Sequence, residues 1–381
     1  PIAKFSDRSL SKILATIFLG VIILIPVLFN PIMEWDARSF WFFHARMIYV
    51  AGTTGLSAGW LNPAVAWAHI DYPLLIPVMA GQVAHLFGFW NEYLPKIALF
   101  FLLATGITWV FSFAKKSFGF LALILFVPFS FYPYIWNGYM DGLLAFFFAI
   151  SLLFLGKYIK TRNFIDLVSS AVCVIITLYL KNEGALALIG YLAALATVFL
   201  ITRTKIDLKQ SVIRHWKGLL GMFVLFVPLI TWTILKAKWG IHNDLQLGTA
   251  QSFSRLFSRL ADGSWHTILK SEYVQIFLQL TLFALILLAT VAWKIKPNRA
   301  ALPALIAGGI YLLGMTVIYL VAPESVEWRL TTSVHRTMLT VNAALIVAWF
   351  YLLEKVEFSY RNQRRILIES KINSKSIQAG G

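Results

Sequence analysis

The sequence predicts an all-α polytopic membrane protein, and three observations carry that prediction. Of 381 residues, 59% are hydrophobic, and the mean hydropathy is +0.74. Apolar runs recur along the whole length, each about long enough to cross ~30 Å of hydrocarbon as a helix. The 14 Trp and 14 Tyr residues cluster near the ends of those runs, as interfacial anchoring requires. The single cysteine, Cys173, lies inside an apolar run, which excludes an intrachain disulfide and a cysteine-based metal site. A net charge of +16 would suit nucleic acid, but its distribution follows the membrane instead, and no nucleic-acid partner is expected.

Candidate spans fall at 13–29, 73–90, 96–113, 118–134, 139–156, 164–180, 184–201, 218–236, 273–293, 301–321 and 335–353. Lys4, Arg8 and Lys12 precede the first run and no small-residue cleavage site follows it, so it reads as an uncleaved span. With the N-terminus inside, eleven crossings would leave five basic segments outside. These are Lys115–Lys116, Lys157–Arg162, Arg203–Lys217, Lys294–Arg299 and the tail with Arg361, Arg364 and Arg365. Removing one crossing ahead of Lys115 puts 22 of the 33 basic residues inside, so the positive-inside rule favours ten crossings. The weakest candidate is 73–90, with Pro73, Pro77, Gln82 and His85, which reads as an interfacial helix on the outer face. The whole chain 1–381 is then one integral membrane domain, ending in a basic cytoplasmic tail over 354–381.

Ten crossings gather the polar chemistry outside. Only 17 residues are Asp or Glu, yet Glu34 and Asp36 sit two apart directly after the first span, and on a loop or extended segment they could point the same way. A solvated loop with two chance acids is the bland alternative. Against it stand Arg38, Arg46 and an aromatic-rich helix at 40–49. His69-Ile70-Asp71-Tyr72-Pro73 opens the interfacial helix, with Asp71 where an N-cap would be and Pro73 where a first-turn proline is tolerated. Asp141 stands at the outer start of an otherwise apolar span, where it must face water, find a partner or lean on the helix N-terminus. Lys181 and Glu183 occupy a polar outer turn. They form either a functional cation site or a local snorkelling pair. Glu324, Glu327, Arg329, His335 and Arg336 crowd in just before the last span.

These residues resemble the GT-C superfamily of polyprenyl-phosphate-dependent glycosyltransferases, in the branch of protein O-mannosyltransferases and lipid A aminoarabinose transferases. Glu34-Trp35-Asp36 is similar in place and spacing to that family's acidic pair after the first span. His69-Ile70-Asp71-Tyr72-Pro73-Leu74 is similar to its histidine- or lysine-proline motif, although a single proline stands here. Asp141 matches an acid at the outer start of the fourth span, and Lys181 a lysine between the fifth and sixth. The likeness covers 10–201, with a first outer loop at 30–94, and leaves 202–353 as variable C-terminal helices. It implies a GT-C-like bundle of about ten transmembrane helices with interfacial helices in the first outer loop.

The resemblance implies transfer of a sugar from a polyprenyl-phosphate donor to an acceptor hydroxyl on a lipid, glycan or protein. A departing phosphate needs little protonation, so one carboxylate and a set of cations suffice. Asp36 would be the base, with Glu34 and Asp141 orienting sugar or acceptor. Lys181, Arg329, His335 and Arg336 would hold the phosphate, while His69, Asp71 and Glu183 would line the substrate site. Direct displacement would invert the anomeric centre. No cofactor is required, and a divalent metal is the one ion that Glu34 and Asp36 could hold. The implied location is a bacterial inner membrane, with the site facing outside and membrane lipids around it. A lipid-linked-sugar flippase or other transporter is the alternative, but such carriers usually place charges near the bilayer midplane. A scaffold subunit is the third reading.

Overall fold

The computed structural model describes residues 14, 17, 18, 21, 25–111, 113, 133–202, 208–243, 245, 247–355 and 359. Residues 13, 15, 16, 19, 20 and 22–24 of the first apolar run, residues 118–132, Lys115–Lys116, Arg203 and the tail arginines lie outside the described residues.

Among the described residues every regular element is helical. A π-type turn, Ala37–Trp41, runs into α1 (Phe42–Ala51), followed by α2 (Leu75–Phe87), α3 (Ile97–Phe111), α4 (Met140–Thr161), α5 (Phe164–Leu180) and α6 (Gly184–Thr202). Then come α7 (Leu208–Trp239), α8 (Ala250–Ala261), α9 (Ser264–Ala292), α10 (Leu302–Val321), α11 (Val326–Thr337) and α12 (residues 339–355). Met140–Thr161, Trp216–Trp239, Ser264–Ala292, Arg299–Val321 and Val326–Lys355 are each long and apolar enough to cross a membrane. Shorter apolar helices stand beside them. The chain is an all-α integral membrane protein.

Apolar residues all round a helix bury it on every side. That is the case for α4, whose apolar stretch is 89% buried between α3, α5, α6 and α10. Helices α7 and α9 are the opposite, with 6% and 11% of their apolar stretches buried, so their surface is left for lipid. Close helix approach in the membrane relies on small residues. At Gly190 on α6 an added Cβ would stand 2.7 Å from the Ala307 carbonyl oxygen of α10.

Helix α2 is 13 residues long, about 20 Å at 1.5 Å per residue. That is too short for ~30 Å of hydrocarbon. It lies against α1, burying Ile76, Ala80 and Ala84. The expected cap is not formed. The residue before α2 is Leu74, which makes no side-chain cap, and Asp71 is instead engaged with Asn182 and Asn243. The span expected at 273–293 begins earlier: α9 starts at Ser264 and carries Glu272 inside the helix, 1% exposed, accepting from Thr316 at 2.8 Å.

The described ion pairs fall at two ends of the bundle. Lys157–Asp166 (2.6 Å) and Lys160–Glu354 join α4 to α5 and α12 at one end. The segments expected outside meet at the other end.

Candidate active site

Asp36 has helical backbone angles (φ −63°, ψ −38°), because the acidic pair lies on the entry to a helix and not on an extended segment. Asp36 turns inward and is 7% exposed, while Glu34 faces outward and its carbonyl accepts the Arg38 N–H at 2.9 Å. The two acids differ in burial, yet both act electrostatically on Tyr134 and Tyr139.

Three elements bring the other charges to Asp36. Ser325 caps α11, accepting from the Trp328 N–H at 3.2 Å, and about three turns on that helix carries Arg336. The Arg336 guanidinium hydrogen-bonds Asp36, lies 4.8 Å from the centre of the Tyr139 ring, and stands 3.6 Å from Asp141 Oδ2. Asp141, in the first turn of α4, accepts from Lys181 Nζ at 2.8 Å through Oδ1. Lys181, just past the end of α5, also pairs with Glu183 Oε1 at 3.1 Å. Asp36, Arg336, Asp141, Lys181 and Glu183 thus form one alternating chain of charges. Gly138 lets the segment before α4 lie on the helix entry. Its φ is +99°, and an added Cβ would stand 2.7 Å from the Cβ of Ala37.

Isolated charges cannot be buried without partners, and this chain supplies them. Burial alone would lower the Lys181 pKa, but the Asp141 and Glu183 carboxylates hold it well above the ordinary lysine value. Burial, reinforced by Glu183, pushes the Tyr72 phenol up, so it stays neutral. Two carboxylate oxygens, Asp141 Oδ2 and Glu183 Oε2, are buried without a hydrogen-bond donor.

The remaining expected residues divide. His69 takes a left-handed backbone (φ 50°) after the turn Pro63–Ala68, with its ring stacked on Tyr72 at 5.1 Å and edge-on to Phe40 at 4.3 Å. Asp71, 2% exposed, accepts from Asn182 at 2.6 Å and Asn243 at 2.9 Å, and its carbonyl accepts from Lys236 at 2.8 Å. It ties the Lys181–Glu183 turn to the end of α7. Arg329 pairs with Glu324 at 3.1 Å, two turns away from Arg336, and His335 lies beside the Tyr134 ring at 5.7 Å. Arg329 makes no described contact with the chain of charges around Asp36, whereas His335 lies close enough for Arg336 and Asp141 to act on it.

Lys96 went unnoticed in the sequence. It is fully buried, donates to the Asn30 carbonyl at 3.0 Å and lies 5.5 Å from the Trp136 ring, behind the acidic loop. A basic residue on the outer side is the signal that could have found it, as it found Lys181. Buried His44 is a second omission. Burial lowers its pKa to about 3, so it packs neutral beside Trp60. As for a metal, no three of His, Cys, Asp and Glu converge among the described residues. Of the Asp36 carboxylate, Oδ2 is taken by Arg336.

No protein-family model matches the chain, and no curated protein matches it. Among solved structures, the chain is similar to the crystal structure of ArnT from Cupriavidus metallidurans in the apo state, with a TM-score of 0.48 and 14% sequence identity. The match covers 90% of this chain and 60% of that one, so the chain spans less than two thirds of the length of the structure it matches.

Proposed function

We propose that this protein is a membrane glycosyltransferase. It moves a sugar from a polyprenyl-phosphate donor to an acceptor hydroxyl of a lipid, glycan or protein at the outer face of a bacterial inner membrane. The observation that carries this reading is the buried Asp36–Arg336–Asp141–Lys181–Glu183 chain, with its two open carboxylate oxygens. Cations there suit a phosphate, and unfilled acceptor oxygens suit the hydroxyls of a sugar.

The chemistry follows from that placement. The donor phosphate competes for Arg336 and draws it from Asp36, leaving the carboxylate open. Asp36 takes the acceptor proton as the acceptor oxygen bonds to the anomeric carbon. The carbon–oxygen bond to phosphate breaks, and the polyprenyl phosphate departs with its charge met by Arg336, inverting the centre. Asp141 and Glu183 hold sugar or acceptor hydroxyls, and Lys181 pairs with both carboxylates. No cofactor enters these steps.

The test is a titration of polyprenyl phosphate into wild type and Arg336→Gln. Losing a hydrogen bond to a charged group costs about 1.5–3 kcal/mol, so affinity should fall roughly 10- to 150-fold. Equal affinities, or no binding to wild type, would remove the phosphate site from the reading.

A further inference from the structure

Helix α8 (Ala250–Ala261) divides its surface three ways. Gly248 and Gly263, with φ of +81° and +82°, set it apart at both ends, and Thr249 caps it by accepting from the Ser252 N–H at 3.2 Å. At twelve residues it is too short to span a bilayer. One face belongs to the protein. Arg255 Nε donates to the Val321 carbonyl at 2.7 Å. Arg259 reaches the carbonyls of Tyr319 (2.8 Å), Leu320 (3.2 Å), Ala322 (2.9 Å) and Glu324 (2.6 Å). Those carbonyls close α10, where a helix leaves its last C=O groups without intrahelical donors, and cations are favoured there.

A second face carries Phe253, Phe257 and Leu260, at i, i+4 and i+7, exposed by 54%, 66% and 45%. A third holds exposed Gln251, Ser254 and Ser258. The sequence neighbours on either side are α7 and α9, whose exposed apolar surfaces are the lipid-facing flanks of the bundle. Helix α8 packs against α9, one of those flanks, and against the end of α10 that leads to α11, the helix of Arg336.

We infer that α8 is an interfacial helix whose occupant is the lipid leaflet at the site's end of the bundle, with Phe253, Phe257 and Leu260 inserted among acyl chains. Its arginines anchor it to the α10–α11 junction, so the leaflet helps to seat the helix that delivers Arg336 to Asp36. The insertion itself is independent of the transferase reading.

The experiment places an environment-sensitive fluorophore at Phe257→Cys or at Ser258→Cys in the full chain. The native Cys173 is buried and stays unlabelled. The protein is reconstituted in phosphatidylcholine–phosphatidylglycerol vesicles. The label at Phe257→Cys should emit to the blue of the other, be quenched several-fold more by nitroxide lipids than by iodide, and show the reverse preference at Ser258→Cys. Iodide quenching both labels equally would overturn the inference, since the stripe would then face water. Shielding of the Phe257→Cys label from both quenchers would also overturn it, since a protein surface would then cover the stripe. Both substitutions are at exposed positions, and folding is checked by the unlabelled thermal transition.

Discussion

Asp36→Asn is expected to abolish most transfer while leaving donor binding intact or tighter. The amide keeps the shape but cannot take the acceptor proton, and general-base catalysis contributes roughly 10²–10⁴-fold. Binding should not suffer because Asp36 is the hydrogen-bonded partner of Arg336. Removing its charge leaves the guanidinium freer to meet a phosphate. A pair of measurements checks this: single-turnover transfer from a lipid-phosphate sugar, and equilibrium binding of polyprenyl phosphate. Glu34→Gln should reduce transfer far less, since Glu34 faces outward and its side chain joins no described hydrogen bond. If Asp36→Asn kept transfer within a few-fold of wild type, the base assignment would be wrong.

Lys181→Ala is expected to destabilise the fold before it affects binding. Its ammonium is buried and engages Asp141 at 2.8 Å and Glu183 at 3.1 Å. Breaking a buried pair from one side leaves a charge uncompensated, typically about 3–5 kcal/mol. Arg336, at 3.6 Å from Asp141, is too far to replace the lost hydrogen bond. Adding Asp141→Asn should recover part of the loss, which a double-mutant cycle in thermal or denaturant unfolding would read. A variant as stable as wild type that bound donor more weakly would instead make Lys181 a direct phosphate ligand.

The membrane class was legible in the sequence because hydrocarbon imposes a length and a composition on every crossing. The outer cluster was legible for a related reason. Acids and lysines near an apolar boundary need partners, and Asp141 and Lys181 prove to be each other's. Pairings across long separations were not legible. Nothing in the order of residues says that Arg336 meets Asp36 while Arg329, on the same helix, turns to Glu324. Asp71 was misjudged because cap statistics describe the local chain, whereas two distant amides, Asn182 and Asn243, claim its carboxylate. The spacing of Glu34 and Asp36 says nothing of depth, and the helix entry buries Asp36 while Glu34 stays exposed. Lys96 was hidden at the head of an apolar run, where a lysine reads as a snorkelling end and not as a buried tie to Asn30.

The most direct test of the transferase reading is to incubate the purified, reconstituted protein with a panel of polyprenyl-phosphate sugars and acceptor lipids. Free polyprenyl phosphate and glycosylated acceptor are then followed by mass spectrometry. The expected result is equimolar release and transfer from at least one donor, with an inverted anomeric centre, abolished by Asp36→Asn. Donors that cross the bilayer unchanged and unconsumed would contradict it and identify a carrier instead.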